Sequence, residues 1–332
     1  MQQLNYDTVE ILGISKSIPI IERLDLDEIP EGTQHRLFLK LVDDSLGLPI
    51  MIPIMVARGV EPGPVLAVTA AVHGNELNGI PVIHRLFHDI DPKLLKGTIM
   101  SIPVVNVPGF LLMQRKFNDD FDLNHLMPGK PNGNNSEVYA YRFLERAMGK
   151  IDYLLDLHTA SFGRINSYYV RANYSDPTSK KLAELQNAQI IVNSPAPDGT
   201  LRWSMQEQGT KAITLEVGDP NRFQKGLIRS GLEGVHNTII HLGMMEGEIE
   251  LPEVEPVLCS DSFWMYTDAG GILQVYPQVA QRVKKGEEIA SLKNIFGDLI
   301  RKYQAPSDGI VIGKSVHPTA QTGSRILHLG VE

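Results

Sequence analysis

From His35 onward apolar and polar residues follow short strand-like runs: Leu37, Leu39 and Val42 mark one, Ile50 to Val56 a second, and Pro64 to Val72 a third. The period then lengthens. Leu77, Ile80, Ile83, Leu86 and Phe87 recur near 3.6 residues, which predicts a helix over 75–89, and Gly97 to Val105 returns to strand. Strand, helix, strand is the order of an α/β fold. Farther on, Ser136 to Met148 reads as a helix with Ser136 as its N-cap, Ile151 to Leu157 as a buried strand, and Ser167 to Arg171 as another. A helix opened by Asp-Pro over 176–186, strands over 189–192 and 212–217, and a helix around 226–244 complete this part. Residues 108–135, rich in Gly, Pro, Asn and Asp, keep no period and read as a long ordered loop, a kind of segment that is commonly functional.

The texture changes after Met245. Residues 246–256 carry five acidic residues and two prolines, and beyond Ser260 short β-like runs are punctuated by Gly and Pro. The expectation is a mixed sheet flanked by helices over 1–245, followed by a smaller all-β domain over 260–332. Within the latter, Val283 to Ala290 and Ala305 to Ile312 resemble the hairpins of lipoyl/biotinyl barrel-sandwich domains, without a lysine at a hairpin tip to carry a prosthetic group. The β domain therefore reads as a structural appendage or a module for homo-oligomer formation.

Composition narrows the function. With 332 residues, 42% hydrophobic and 21% charged, the chain can bury a large core. A formal charge of −8 disfavours nucleic acid as partner, because phosphate neutralisation needs clustered Lys and Arg, and favours a small molecule. Cys259 is the single cysteine, so neither an intrachain disulfide nor a thiolate zinc set can form. Met1 to Glu10 carry no basic-then-apolar leader pattern, and no apolar run is long enough to span a bilayer. The expected location is the cytoplasm, away from membranes.

A catalytic zinc takes three nitrogen or oxygen ligands and keeps one position open. Such a set is present. His73-Gly-Asn-Glu76 follows the end of one strand, His158 directly follows the Tyr153 to Leu157 run, and Glu216 ends the Ala212 to Leu215 run. In open α/β sheets, sites form beyond the carboxyl ends of strands. Gly74 is read as allowing a tight turn at the first motif. His84 and His88, four apart on the first helix, lack the flanking pattern of a zinc helix and read as surface residues. Cys259 falls in the presumed linker.

These motifs together resemble the succinylglutamate desuccinylase/aspartoacylase family of zinc carboxypeptidase-like hydrolases over roughly 64–244. His73-Gly-Asn-Glu76 is similar to the family's first ligand pair, Asp156-Leu-His158-Thr159 to its third-ligand motif, and Thr214-Leu-Glu216-Val-Gly218 to its catalytic-glutamate motif. The resemblance implies one Zn²⁺ per chain on His73, Glu76 and His158, with Glu216 as general base. It also implies that Asp122 supports His73, that Asn124 grips substrate, and that Arg115 polarises the scissile carbonyl. Asp122-Leu-Asn124-His125 departs from the family's Asp-Leu-Asn-Arg at its last position, where His125 cannot supply a bidentate fork. The substrate either lacks the carboxylate met there or meets another base, such as Arg164.

The implied activity is hydrolysis of the amide of a small N-acylated amino acid or amine. A carboxypeptidase-like peptidase would use the same metal set, and a metal-bound ligand-binding module without catalysis is the reading from a different class. Glu216 weighs against the latter, since binding alone needs no general base.

Overall fold

The structure, a computed structural model, describes residues 7–332. Its largest element is an 11-stranded mixed sheet flanked by helices. The middle of the sheet is built from strands Lys96–Ile102, Glu61–Ala70, Tyr153–His158 and Lys211–Val217, neighbours in that order and parallel to one another. Their carboxyl ends therefore open on one edge. On one side Pro49–Arg58 and Thr33–Asp43 continue the sheet antiparallel, and on the other come Tyr168–Ala172, Ile190–Asn193 and Val257–Cys259.

Both faces of these strands are buried, and the period-two alternation of side chains sorts each strand between two cores. Leu66, Val68, Ala70, Leu155, Leu157, Ile213 and Leu215 join Val82, Ile83 and Leu86 of helix Gly79–Asp89 and Val235 and Ile239 of helix Lys225–His241. Ala67, Leu154 and Ala212 face the opposite way, with Tyr139 and Phe143 of helix Asn135–Ala147. The same alternation sends Thr69, Asp156, His158, Thr214 and Glu216 toward that second face. Across the sheet Thr69 and Thr214 both pair with Asp156, and Glu216 pairs with His158. Polar residues in a strand interior thus gather in one place by register alone.

Several boundaries differ from the sequence expectation. The first helix begins at Gly79 rather than at 75, because Asn75 to Asn78 are tied elsewhere: Asn78 donates to the Val217 carbonyl at 2.7 Å and accepts from the Gln224 amide at 3.0 Å. Asn134, not Ser136, caps the next long helix, in a reciprocal capping box with Glu137, while Ser136 turns to Asp119. Two short helices, Val107–Leu111 and Leu201–Glu207, lie in stretches without a helical period. Cys259 ends a strand of the large sheet and is fully buried, so it does not lie in a linker. Gly74 is not left-handed. It lies in the expected tight turn, closed by the Glu76 amide donating to the His73 carbonyl at 3.1 Å, and a Cβ there would stand 2.0 Å from the Gly109 carbonyl carbon, so the close backbone approach is what demands glycine.

Beyond residue 260 the chain forms two further antiparallel sheets around a small core of Ile289, Leu292, Ile326, Leu327 and Leu329. Strand Arg164–Asn166, which directly follows the His158 loop, pairs with Gly309–Ser315 of one of these sheets. Tyr169, Ile190 and Val192 of the large sheet pack with Cys259, Ile310 and Ile312. The later sheets are thereby stitched to the segment that borders the open edge. Among the described residues, no helix is long and apolar enough to cross a membrane.

Candidate metal centre and catalytic cleft

His73 and Glu76 sit on the loop leaving strand Glu61–Ala70, and His158 is the last residue of the adjacent parallel strand. Glu76 lies between the two imidazoles: its Oε1 is 2.9 Å from His73 Nδ1 and its Oε2 is 3.0 Å from His158 Nδ1, with the two Nδ1 atoms 3.1 Å apart. All three side chains are buried. Each ring turns its other nitrogen to a carboxylate: His73 Nε2 lies 3.0 Å from Asp122 Oδ1, and His158 Nε2 lies 2.8 Å from Asp156 Oδ2.

These partners assign the tautomers. A neutral ring donating Nε2–H to an Asp leaves a lone pair on Nδ1. Two such lone pairs and a carboxylate oxygen then converge with their ligand atoms within 4.8 Å of one another. Three acceptors facing one point repel unless protons or a metal ion lie among them, and nitrogen and oxygen donors of this kind suit a divalent metal. The cluster fits a metal centre on the chemistry of its donors.

The supports are dense. Thr69 Oγ1 donates to Asp156 Oδ1 at 2.7 Å, so that carboxylate is held at both oxygens. The Thr159 amide donates to Glu76 Oε2 at 2.9 Å, and Ser161 Oγ donates to Oε1 at 2.8 Å. Arg115 bridges the two acidic groups, with Nη1 on Glu76 Oε1 and Nε on Asp122 Oδ2, both at 2.9 Å. Burial would raise the Asp122 pKa, but its bond to His73 and the charges of His73 and Arg115 hold it far below the usual carboxylate range. Burial opposes ionisation of Glu76 too, and the charge of His73 with the hydrogen bond to His158 keeps it well below its ordinary value. For His158, burial opposes protonation and Asp156 with Glu76 overrides it, so its pKa stands well above that of a free imidazole.

Glu216 lies on the strand beside His158, mostly buried, with its Oε2 accepting from Asn166 Nδ2 at 3.3 Å and its Oε1 3.7 Å from Arg171 Nε. Arg171 is further held by Tyr169 Oη, to which its Nη2 donates at 2.7 Å. Asn124 is tied back to the protein, since its Oδ1 accepts from the Leu201 amide at 2.8 Å and starts the short helix there. His125 is exposed, with Nε2 3.9 Å from Asp122. Arg164 donates from Nε to the Ser161 carbonyl at 2.7 Å and lies over the ring of Trp264. His84 and His88 are on the outer helix, away from this cleft.

Thr69, Ser161 and Arg171 were not singled out by sequence reasoning, and Asp156 was named only as the head of the third-ligand motif, without a role. A signal existed for Asp156 alone: an acidic residue inside an apolar run, two positions from His158, must face the same side and needs a buried partner. Ser161 and Arg171 carry no such mark.

Residues 62–242 match the model of the succinylglutamate desuccinylase/aspartoacylase catalytic domain. The chain belongs to that family. It is also similar to the N-alpha-acetyl-L-2,4-diaminobutyric acid deacetylase of Halomonas elongata, at 24% identity over 331 residues covering 95% of each chain. Among solved structures, the product-bound ectoine utilization protein EutE (DoeB) of Ruegeria pomeroyi aligns at a TM-score of 0.82 with 23% identity, covering 92% of this chain and 98% of that one. A succinylglutamate desuccinylase/aspartoacylase of Rhodobacter sphaeroides aligns at 0.83 with 22% identity, covering 92% and 97%. The likeness to these two is one of fold, and it extends through the β sheets that follow the catalytic-domain match.

Proposed function

We infer that the chain is a zinc-dependent deacylase that hydrolyses the amide of a small N-acylated amino acid or amine. The observation that carries this reading is the placement of a carboxylate outside the donor set, Glu216, in register with His158 and beside a three-donor cluster. His73, Glu76 and His158 would hold the ion, one per chain, and Asp122 and Asp156 fix the ring orientations. Zinc, when bound there, supplies Lewis-acid activation of water and of the acyl oxygen.

The remaining chemistry falls to side chains. Glu216 accepts the proton of the attacking water and returns it to the departing amine, so that one group serves as base and then acid. Asn166 and Arg171 hold its two oxygens and limit its rotamers. Arg115, anchored by Glu76 and Asp122, presents its guanidinium at the cleft, where it neutralises negative charge developing on the acyl oxygen. The substrate is a small molecule, and the cleft's position beside the β sheets favours it over a long peptide.

The test combines metal content with turnover on a panel of N-acetyl, N-succinyl and N-aspartyl-type amides. Wild type is expected to hold about one zinc and to lose activity to a chelator, with zinc restoring it. Glu216→Ala is expected to keep the metal while turnover falls about 10²- to 10⁴-fold. Full activity in that variant would remove Glu216 from the reaction, and wild type that binds metal without hydrolysing any amide would favour a binding module.

A further inference from the structure

The cleft has a second charged feature, six residues along the chain from His158. Ser161 touches Glu76, and the turn Phe162-Gly163 then delivers Arg164 to the later β sheets. There the guanidinium of Arg164 lies 5.4 Å from the ring centre of Trp264, and that of Arg325, from strand Arg325–Val331, lies at 5.4 Å from the same ring and 6.0 Å from Tyr266. His328 stacks on Trp264 with 4.9 Å between ring centres and fixes the indole. Among the described residues neither guanidinium is paired with a carboxylate.

Both arginines line a cleft of about 430 Å³ that also takes in Phe162, Tyr266 and His317. Phe162 is shared with the metal side, since Arg115 lies 5.7 Å from its ring centre. Burial, then the neighbouring charges of Arg325 and Arg115, weaken the hold of Arg164 on its proton against the opposing pull of Glu216 and Glu76. Two guanidiniums against one indole, with no carboxylate at ion-pair distance from either among the described residues, make a place where an anion relieves repulsion.

We propose that Arg164 and Arg325 form the anion-binding end of the substrate cleft, and that they take a carboxylate carried by the substrate. The proposal rests on the deacylase reading and adds a recognition element from the later β sheets to it. It also accounts for His125: the fork missing from the Asp122 loop is supplied from the opposite wall. Each guanidinium lies 5.4 Å from the Trp264 ring centre, a contact that leaves its edges for planar bidentate bonding.

The experiment compares two matched pairs, N-α-acetyl-L-2,4-diaminobutyrate against N-acetyl-1,3-diaminopropane, and an N-succinyl amine against its N-butyryl counterpart. In each pair only the carboxylate differs. Wild type should prefer the acid in at least one pair, which tells whether the carboxylate sits on the amine or the acyl half. In Arg325→Gln the ratio of kcat/KM values should fall about tenfold to a hundredfold, mostly through KM, with Arg325→Lys intermediate. Trp264 gives a readout independent of turnover: L-2,4-diaminobutyrate or succinate should change tryptophan emission in wild type and not in Arg325→Gln of equal thermal stability. Absence of hydrolysis in wild type would sink the deacylase reading while the emission titration still tests the site. A ratio unchanged in Arg325→Gln, no emission response to either carboxylate, or a response to inorganic phosphate alone would overturn the proposal.

Discussion

Replacing Asp156 by Asn removes one charge from the centre and little else. The side chain is 1% exposed, with Oδ2 2.8 Å from His158 Nε2 and Oδ1 2.7 Å from the Thr69 hydroxyl. Asn can keep both contacts, its carbonyl accepting from His158 and its amide donating to Thr69, so shape and hydrogen bonding survive. What is lost is the electrostatic support that makes His158 Nδ1 a better donor. Supporting carboxylates of this kind are worth roughly tenfold to a hundredfold in metal affinity, or about 1.4–2.7 kcal/mol. Asp156→Ala should do more, because His158 Nε2–H and the Thr69 hydroxyl would be left buried without a partner, at about 1–3 kcal/mol each in fold stability. Zinc affinity measured by competition with a chromogenic chelator, alongside thermal unfolding of the metal-free proteins, separates the two effects. Asn should weaken metal binding and lower the unfolding temperature less than Ala, which should lower both. An Asn variant that binds zinc as tightly as wild type would refute the assignment of Asp156 as the group that tunes His158.

Three other outcomes follow from the same geometry. Asp122 has its folded pKa pushed below the unfolded value by His73 and Arg115 against the pull of burial. Its contribution is complete above about pH 4 and fades as the pH falls further, so unfolding temperatures of wild type and Asp122→Asn should differ at neutral pH and converge in acid. The Cys259 thiol is pushed up to about 11 by burial and then by Glu332, and its side chain is fully buried, so its alkylation by iodoacetamide at pH 8 should be at least about a hundredfold slower in the native chain than in denaturant. Equal rates would mean that the strand Val257–Cys259 leaves the sheet readily. Finally, Gly163 is left-handed at φ +63°, and a Cβ there would fall 1.3 Å from His317 Cδ2. Gly163→Ala should cost about 1–3 kcal/mol, and His317→Ala should recover part of it; simple additivity of the two would show that the turn does not press on the later sheets.

Much of this protein is local, and local features are legible in a sequence. The alternating runs ending in His73, His158 and Glu216 could be read as strands because residues buried on both faces must be apolar except where chemistry intervenes. The family resemblance over these motifs implied the three donors, His73, Glu76 and His158, which the structure brings together. The helix starting at Gly79 was legible from its 3.6-residue period, yet its first turn was not, since Asn78 is held by Val217 and Gln224, more than a hundred residues away. Cys259 looked like linker because three residues of strand carry too little pattern to stand out.

What only the tertiary structure decided is which charges meet. That Asp156 supports His158, that Arg115 joins Glu76 to Asp122, and that Arg171 stands by Glu216 depends on strand register and loop packing. The meeting of Arg164 and Arg325 over Trp264 depends on strand Arg164–Asn166 pairing with a sheet built about 150 residues later. Sequence dictates the period of each segment, because that is set by neighbours a few residues apart. Partners far apart in the chain are chosen by the shared burial of many segments at once, and no single segment records the choice.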